Sequence, residues 1–161
     1  MKKILWLAAF VFCAQTIPAQ VPVTLHPDQQ QLILSGDPHL AANKKLVFDF
    51  WREVFQTHNM DLAPQYMAED YIQHNPNVKS GRQPFMDYFG QFEPQPLKPN
   101  IDNLVNLVAE GDLVVLAFRQ ELPDPGHPGQ TYTTTWFDML RIENGKIAEH
   151  WDYGTKPVPE D

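Results

Sequence analysis

The sequence is poor in cysteine, with a single one, Cys13, among its 161 residues. Cys13 lies in an N-terminal segment that we expect to be removed, which would leave the mature chain without a thiol. Such a chain forms no disulfide, has no cysteine nucleophile and binds no metal through cysteine. We therefore expect its stability to come from packing alone, even in an oxidising compartment.

Basic residues are also few. The chain has 12 lysines and arginines against 20 aspartates and glutamates, a formal net charge of −8. Removal of residues 1–19 would take away Lys2 and Lys3 and no acid, leaving 10 basic and 20 acidic residues and a net charge of −10. An acidic chain repels phosphate backbones, which argues against nucleic acid as a partner. The chain also lacks a polybasic patch for anionic lipid.

The apolar run at the N-terminus is too short to span a membrane, which takes about 20 apolar residues. This run, Ile4–Ala14, follows two lysines and precedes a small residue, Ala19, in the layout of a secretory signal peptide cleaved after residue 19. An uncleaved anchor is the alternative. A lipoprotein signal at Cys13 is disfavoured by the bulky Phe12 before it. We thus predict an exported protein, periplasmic or secreted, with no membrane attachment after cleavage.

The rest of the chain has the length of one domain, by the rule of roughly 100–200 residues per domain. Residues 20–38 contain three prolines and the run Gln29–Gln31, so we predict a linker there. Residues 39–161 are expected to form the folded domain. Apolar periodicity predicts helices over about 40–55, 61–67 and 82–92. Ser80 and Gln83 are placed to form a capping box for the third helix.

The pattern then changes to that of strands. Alternating and β-branched residues predict strands over 101–110, 113–122, 131–143 and 146–153, after a short extended stretch at 70–76. Three helices followed by four antiparallel strands predict an α+β fold. The helices should pack on one face of a curved antiparallel sheet.

The turn between the last two strands decides which side chains share a face of the sheet. A two-residue type I′ turn at Asn144-Gly145 would pair Glu143 with Lys146. Asp138 and Asp152 would then lie on opposite faces, because side chains alternate along a strand with a period of two.

A three-residue loop, Glu143–Gly145, with a glycine bulge gives a different register. Asp138 would lie opposite His150, and Trp136 opposite Asp152, with all four side chains on one face. We favour this loop, because it gathers the polar groups into a cluster in which they can satisfy one another.

Four stretches carry recognisable motifs: Asp-Tyr-Ile-Gln-His-Asn-Pro at 70–76, Gly81 with Phe85, Trp-Phe-Asp-Met-Leu-Arg at 136–141, and Asn-Gly-Lys-Ile-Ala-Glu-His-Trp-Asp at 144–152. Together they resemble the SnoaL-like polyketide cyclase family, and within it the predicted SnoaL-like aldol-condensation enzymes, of the nuclear-transport-factor-two-like superfamily. The resemblance covers about residues 39–153. It implies a cone, in which a curved sheet wraps around three helices and a pocket opens inside, often in a dimer.

The resemblance also implies site residues. In the cyclases an aspartate at the end of the last strand is the general acid/base of an aldol closure, and the matching residue here is Asp152. Asp138 stands where the cyclases have a polar histidine. This departure, together with the predicted signal peptide, argues against a polyketide substrate in a cytoplasmic pathway.

The residues themselves suit acid/base chemistry on a carbonyl compound. A carboxylate in an apolar pocket, such as Asp152 beside Trp136, has the character of a base. His150 against Asp138 is expected to orient it, shuttle a proton or donate a hydrogen bond. The remaining expected contacts to substrate come from the 70–76 segment: Tyr71, His74 and Asn75.

We therefore predict a cofactor-free lyase or isomerase acting on a small apolar or carbonyl-containing molecule. The alternative is a non-catalytic module of the same fold that binds a small ligand or forms a homodimer. Hydrolysis of a strained ring is a third possibility, for which Arg119 would have to enter the pocket. A metal site built from His74, Asp138, His150 and Asp152 has suitable ligand types, but no supporting spacing, and we predict none.

Overall fold

A computed structural model of the chain describes residues 21–157. The predicted signal peptide, residues 1–19, lies outside this range. None of the helices within residues 21–157 has both the length and the apolar character that crossing a membrane requires.

All helices within residues 21–157 precede residue 90. Asp37 begins the main one, because its carboxylate accepts the backbone N–H groups of His39 and Leu40, and Pro38 takes the first turn. The helical elements are α1 (Gln29–Leu32), α2 (Pro38–Phe50) with a π-helical continuation (Trp51–Phe55), a 3₁₀ turn (Met60–Leu62), α3 (Ala63–Tyr66) and α4 (Arg82–Phe89).

Three details of the predicted helices are wrong. The third helix ends at Phe89 rather than at residue 92, with Gly90 as its C-cap. The second helix ends one residue early, because Met67 is fully buried and pairs with Ile147 as the first residue of a strand. Ser80 does not cap α4, since its hydroxyl accepts the backbone N–H of Gln73 instead, and Gly81 occupies the cap position with φ +103°.

Five strands form one sheet in the order β1-β5-β4-β3-β2. Their bounds are β1 (Met67–Gln73), β2 (Leu104–Glu110), β3 (Leu113–Pro123), β4 (Thr131–Glu143) and β5 (Lys146–Asp152). The sheet is curved and unclosed, and with the helices it makes the cone-shaped α+β fold that the sequence predicted. One feature differs: β1 adds parallel to β5 at the edge, so the sheet is mixed rather than wholly antiparallel.

The turn between β4 and β5 is the two-residue one. Asn144 has φ 51° and Gly145 φ 70°, the left-handed pair that a type I′ turn needs, and Glu143 pairs with Lys146. The preference for a three-residue loop is therefore wrong.

A bulge inside β5 then changes the register. Ile142 pairs with Ile147, but the next pair along is Arg141 with Glu149, so Ala148 is an extra residue without a partner on β4. One extra residue reverses which side chains of the following strand face each side of the sheet.

Beyond the bulge, Leu140 lies opposite His150 and Asp138 opposite Asp152. The expected pairs, Asp138 with His150 and Trp136 with Asp152, are therefore wrong. The expectation that Asp138, His150 and Asp152 share one face is confirmed, although the bulge and not the turn produces it.

The core lies between the helices and this same face of the sheet. Its members include Val47 and Val54 from the helices and Leu116, Leu140 and Ile147 from the strands, all nearly or fully buried. The α1 turn also attaches to the domain, because the buried Gln29 amide donates to and accepts from the backbone of Ile101, at 2.8 Å in both bonds. The domain boundaries given above stay a prediction.

Candidate active site

A cavity of about 580 Å³ opens between the helices and the sheet. Its walls are largely aromatic, and its aromatic lining residues are Phe50, Trp51, Phe55, Tyr71, Phe85, Tyr88, Phe89, Phe118 and Trp136. The volume is in the range of small-molecule sites, about 300–1,000 Å³. Polar groups from β1, β4 and β5 form the floor.

The centre of the floor is a buried, hydrogen-bonded pair, His150 and Asp138, on neighbouring strands. His150 Nε2 lies 2.9 Å from Asp138 Oδ1, and Asp138 is only 4% exposed. Burial raises the pKa of the Asp138 carboxyl above its ordinary range, and the hydrogen bond with His150 opposes that rise. The nearby charge of Asp152 raises it further.

Asp152 has two unlike oxygens. Oδ2 accepts a 2.9 Å hydrogen bond from the amide of Asn75. Oδ1 is buried and has no hydrogen-bond partner among residues 21–157. A buried carboxylate oxygen left without a protein partner is rare, and its position at a cavity suits it to accept a proton or a hydrogen bond from a ligand.

Two neighbours orient the Asn75 amide. Its oxygen accepts the backbone N–H of Asn77 at 2.9 Å, which turns the NH₂ end towards Asp152. Gly154 packs directly against it: a Cβ at residue 154 would lie 2.7 Å from both Oδ1 and Nδ2 of Asn75.

Gln73 connects the rest of the floor and was missed by the sequence interpretation. Its Nε2 donates to Tyr71 Oη at 3.1 Å and to His150 Nδ1 at 3.0 Å, while its Oε1 accepts the backbone N–H of Asn75 at 3.0 Å. The period of two from Tyr71 to Asn75 would have pointed to it, had the 70–76 stretch been taken as a regular strand.

Tyr71 is 2% exposed, with its ring in the core and its hydroxyl near the floor. Burial raises the pKa of this phenol, and the charges of Asp152 and Asp138 raise it further. The hydroxyl therefore keeps its proton and acts as a hydrogen-bond donor rather than as a base.

The structure brings six of the seven predicted site residues to the cavity: Tyr71, Asn75, Trp136, Asp138, His150 and Asp152. His74 is the exception. Its side chain lies on the outer face of the sheet, where Nε2 contacts Glu149 Oε1 at 2.7 Å and the ring stacks on Trp151 at 4.9 Å. The expectation that His74 caps the pocket is wrong, because alternation along the chain turns it away when Gln73 and Asn75 face inwards.

Arg119 does not join the two carboxylates. Leu116 lies opposite Asp138 and Phe118 opposite Trp136, so the even-numbered residues of β3 face the cavity. Arg119 borders the cavity, but by this alternation its side chain lies on the other face, where it pairs with Glu121 at 2.6 Å. The aspartate–arginine–aspartate set that ring hydrolysis would use is not assembled.

Comparison with known proteins identifies the family. The model of the SnoaL-like domain matches residues 47–150, more than half of the chain. The chain belongs to the SnoaL-like domain family. The resemblance to the SnoaL-like family is thereby confirmed, as is the assignment to the nuclear-transport-factor-two-like superfamily, whereas the aldol-condensation subgroup stays a prediction. Among curated proteins no match was found.

Solved structures of SnoaL-like proteins share the fold. A protein from Acidithiobacillus ferrooxidans, provisionally assigned as a polyketide cyclase, is 19% identical with a TM-score of 0.53. A protein from Jannaschia sp., provisionally assigned as a SnoaL-like polyketide cyclase, is 18% identical with a TM-score of 0.52. Each match covers 74% of this chain and 90% of the other. At this identity the likeness supports the fold alone.

The floor of this SnoaL-like domain also contains a set of metal-ligand types. One ligand atom from each of Asp138, His150 and Asp152 lies within 4.8 Å of the others. A neutral imidazole that binds a cation through Nε2 carries its proton on Nδ1. That proton would face the NH₂ group of Gln73. The hydrogen bonds thus suit proton transfer better than metal binding, and His74, on the outer face, could not contribute.

Proposed function

We propose that this SnoaL-like protein is an acid/base enzyme, an aldol-type lyase or isomerase, acting on a small carbonyl compound. The observation that carries the proposal is the free oxygen of Asp152. Oδ1 is buried at the cavity and has no hydrogen-bond partner in the described part of the chain, while Oδ2 accepts a hydrogen bond from Asn75. A general base needs such an oxygen within reach of the substrate.

In the proposed step, Asp152 Oδ1 removes a proton from the carbon next to a carbonyl group. The C–H electron pair forms the new carbon–carbon double bond, and the carbonyl π pair moves to oxygen as an enolate. Asp152 becomes the neutral acid. It returns the proton to another carbon in an isomerisation, or the enolate carbon forms or releases a carbon–carbon bond in an aldol reaction.

The enolate oxygen needs a hydrogen-bond donor. Tyr71 fits this role, because its Oη accepts from Gln73 and its own O–H can donate to a ligand in the cavity. The raised pKa of this phenol favours donation of a hydrogen bond over loss of the proton.

The cavity favours a neutral substrate with a flat apolar part. Its aromatic walls, with Trp51 stacked on Phe118 at 4.8 Å, can pack against a flat apolar group of the substrate. Two carboxylates at the floor, Asp138 and Asp152, repel carboxylate and phosphate groups.

The proposal is tested by a turnover screen of small aldols and β-keto compounds with wild type and Asp152→Asn. We expect at least one compound to be turned over by wild type, with a loss of about a hundredfold or more in the variant, as for removal of a general base. The control is Asp61→Asn, an exposed aspartate in the 3₁₀ turn. Equal turnover by wild type and Asp152→Asn would remove Asp152 from the mechanism.

A binding module without chemistry is the second candidate, and the volume and aromatic walls of the cavity favour it equally. Calorimetry on the same compounds distinguishes the two. Saturable binding by both proteins, without conversion of any compound, would support the binding module.

A homodimer is also proposed, through the outer face of the sheet. A row of apolar side chains crosses four strands there, from Val108 through Val115 and Met139 to Trp151, with Phe137 beside it at 55% exposure. An apolar row can face its own copy across a twofold axis without opposing like charges. Phe137→Asp should yield monomers in light scattering after gel filtration, whereas Leu97→Asp, exposed outside the sheet, should not.

Export remains the proposal for the cellular location, resting on residues 1–19. Fractionation of cells that produce the full chain, with N-terminal sequencing, tests it. A mature protein that begins at Gln20 outside the cytoplasm is expected, and a cytoplasmic protein that retains the leader would contradict it.

A further inference from the structure

We infer that Gln73 is a positioning residue that fixes the tautomer of His150. It holds Nδ1 as the acceptor, so that the single ring proton lies on Nε2 and points at Asp138. The inference rests on the proposed function for its catalytic meaning, but its geometry and its test do not depend on a substrate.

The contacts of the Gln73 amide determine its orientation. Oε1 accepts the backbone N–H of Asn75 at 3.0 Å. A backbone N–H can only donate, so the oxygen of the amide must point towards it. The NH₂ end then faces the other two neighbours, Tyr71 Oη at 3.1 Å and His150 Nδ1 at 3.0 Å.

This orientation of the amide determines which nitrogen of the His150 imidazole carries the proton. An NH₂ group that donates to Nδ1 requires a lone pair on that nitrogen, so Nδ1 carries no proton. The neutral ring then has its proton on Nε2, 2.9 Å from Asp138 Oδ1, to which it donates. The ring is largely enclosed, with its side chain 13% exposed, and the other carboxylate near it is Asp152.

The backbone holds these groups together. In the parallel pairing of β1 with β5, Gln73 lies beside His150, and the His74 N–H donates to the backbone oxygen of His150 at 3.0 Å. The backbone pairing therefore keeps the Gln73 side chain next to His150.

In the proposed reaction the carboxylates of Asp138 and Asp152 therefore have different roles. Asp138 accepts a hydrogen bond from His150 Nε2–H and is held in place. Asp152 Oδ1 has no hydrogen-bond partner among residues 21–157, so it can contact the substrate. With the opposite tautomer, Asp138 would face a ring lone pair instead of a donor and would lose this hydrogen bond.

The test is ¹⁵N NMR of the histidine ring nitrogens, which distinguishes protonated from unprotonated nitrogen and needs no substrate. The His150 signals are assigned by comparison with His150→Gln. In wild type we expect Nδ1 unprotonated and Nε2 protonated. In Gln73→Glu a carboxylate accepts where the NH₂ group donated, so Nδ1 should carry a proton, while Nε2 still faces Asp138. Glu has the shape of Gln and can still accept the Asn75 N–H.

Two further variants keep the outcome clear. Gln73→Met removes the hydrogen bonds, and we expect both tautomers of His150 to be populated. Gln30→Glu adds the same charge at an exposed position of α1 and should leave the His150 signals unchanged. A proton on Nδ1 in wild type, or the same tautomer in wild type and Gln73→Glu, would overturn the inference. The expected tautomer, with the proton on Nε2, together with no turnover of any compound would contradict only the proposed function.

Discussion

Asp138 lies directly opposite Asp152 across β4 and β5, and it does so because Ala148 is one residue more than the ladder can pair. The hairpin turn alone would have placed these two carboxylates on opposite faces of the sheet. The bulge brings both to the cavity, with His150 beside them. A β-bulge next to a site that re-aims side chains is a recurrent feature of sheets.

The type I′ turn should depend on glycine at position 145. Gly145 has φ 70°, a left-handed conformation that costs an L-residue about 1–2 kcal/mol. Gly145→Ala is expected to lower the free energy of unfolding by about 1 kcal/mol, since alanine also restricts the unfolded chain. Urea denaturation measures this. Gly36→Ala, in open space, is the control and should cause no loss. An equal response of the two variants would show that residue 145 does not adopt the left-handed conformation in solution.

Gly154 should be required for catalysis more than for folding. A Cβ at this position would lie 2.7 Å from the Asn75 amide, so the amide must move and release Asp152. Gly154→Ala is expected to lower kcat about tenfold to a hundredfold, the usual scale for misplaced catalytic groups. The measurement is steady-state kinetics on any compound found in the screen.

A double-mutant cycle shows whether Gly154 acts through Asn75. In an Asn75→Ala background the added methyl group has no amide to displace, so Gly154→Ala should cause little further loss. Additive losses in the two backgrounds would mean that Gly154 has some other role.

Much of this fold could be predicted because the signals are local. The alternation within β3 and β4 and the apolar periodicity of α2 were predicted, and both depend on neighbours in the chain. The turn at Asn144-Gly145 is local too, but the type I′ form was the alternative that we did not favour. The bulge at Ala148 could not be predicted, because nothing in its side chain distinguishes it from a paired residue. Its position depends on how β5 fits between β4 and β1.

The site was predicted unevenly for the same reason. Asp138, His150 and Asp152 came from motifs on two adjacent strands, whereas Gln73 gains its role only when β1 pairs with β5 across more than 70 residues of chain. His74 was misplaced because a histidine between polar neighbours looks like a ligand, while the strand period alone decides that it faces outwards.

Glu149 contacts Arg141 and His74 on the outer face of the sheet, and these contacts should stabilise the fold only above acidic pH. The hydrogen bond from His74, and then that from Arg141, lowers the pKa of Glu149 below its ordinary value of 4.5. A carboxylate with a lowered pKa stabilises the folded state above its unfolded-state pKa, and this contribution is lost as the pH falls through the folded-state value.

Glu149→Gln should therefore destabilise the protein at pH 7 and do so progressively less below pH 4.5. Thermal unfolding of both proteins across this range measures the difference. Glu110→Gln, exposed at the end of β2, controls for the change of charge. An equal difference between wild type and Glu149→Gln at every pH would show that the carboxylate contributes by shape and not by charge.

The claim on which the account depends is that Asp152 takes a proton from carbon. The most direct measurement is ¹H NMR of small ketones and aldehydes in D₂O, which follows exchange of the hydrogen next to the carbonyl group without requiring a complete reaction. Wild type and Asp61→Asn should accelerate exchange for at least one compound that binds, and Asp152→Asn should not. Exchange at the same rate with wild type and Asp152→Asn, or at the uncatalysed rate for every compound that binds, would contradict the account.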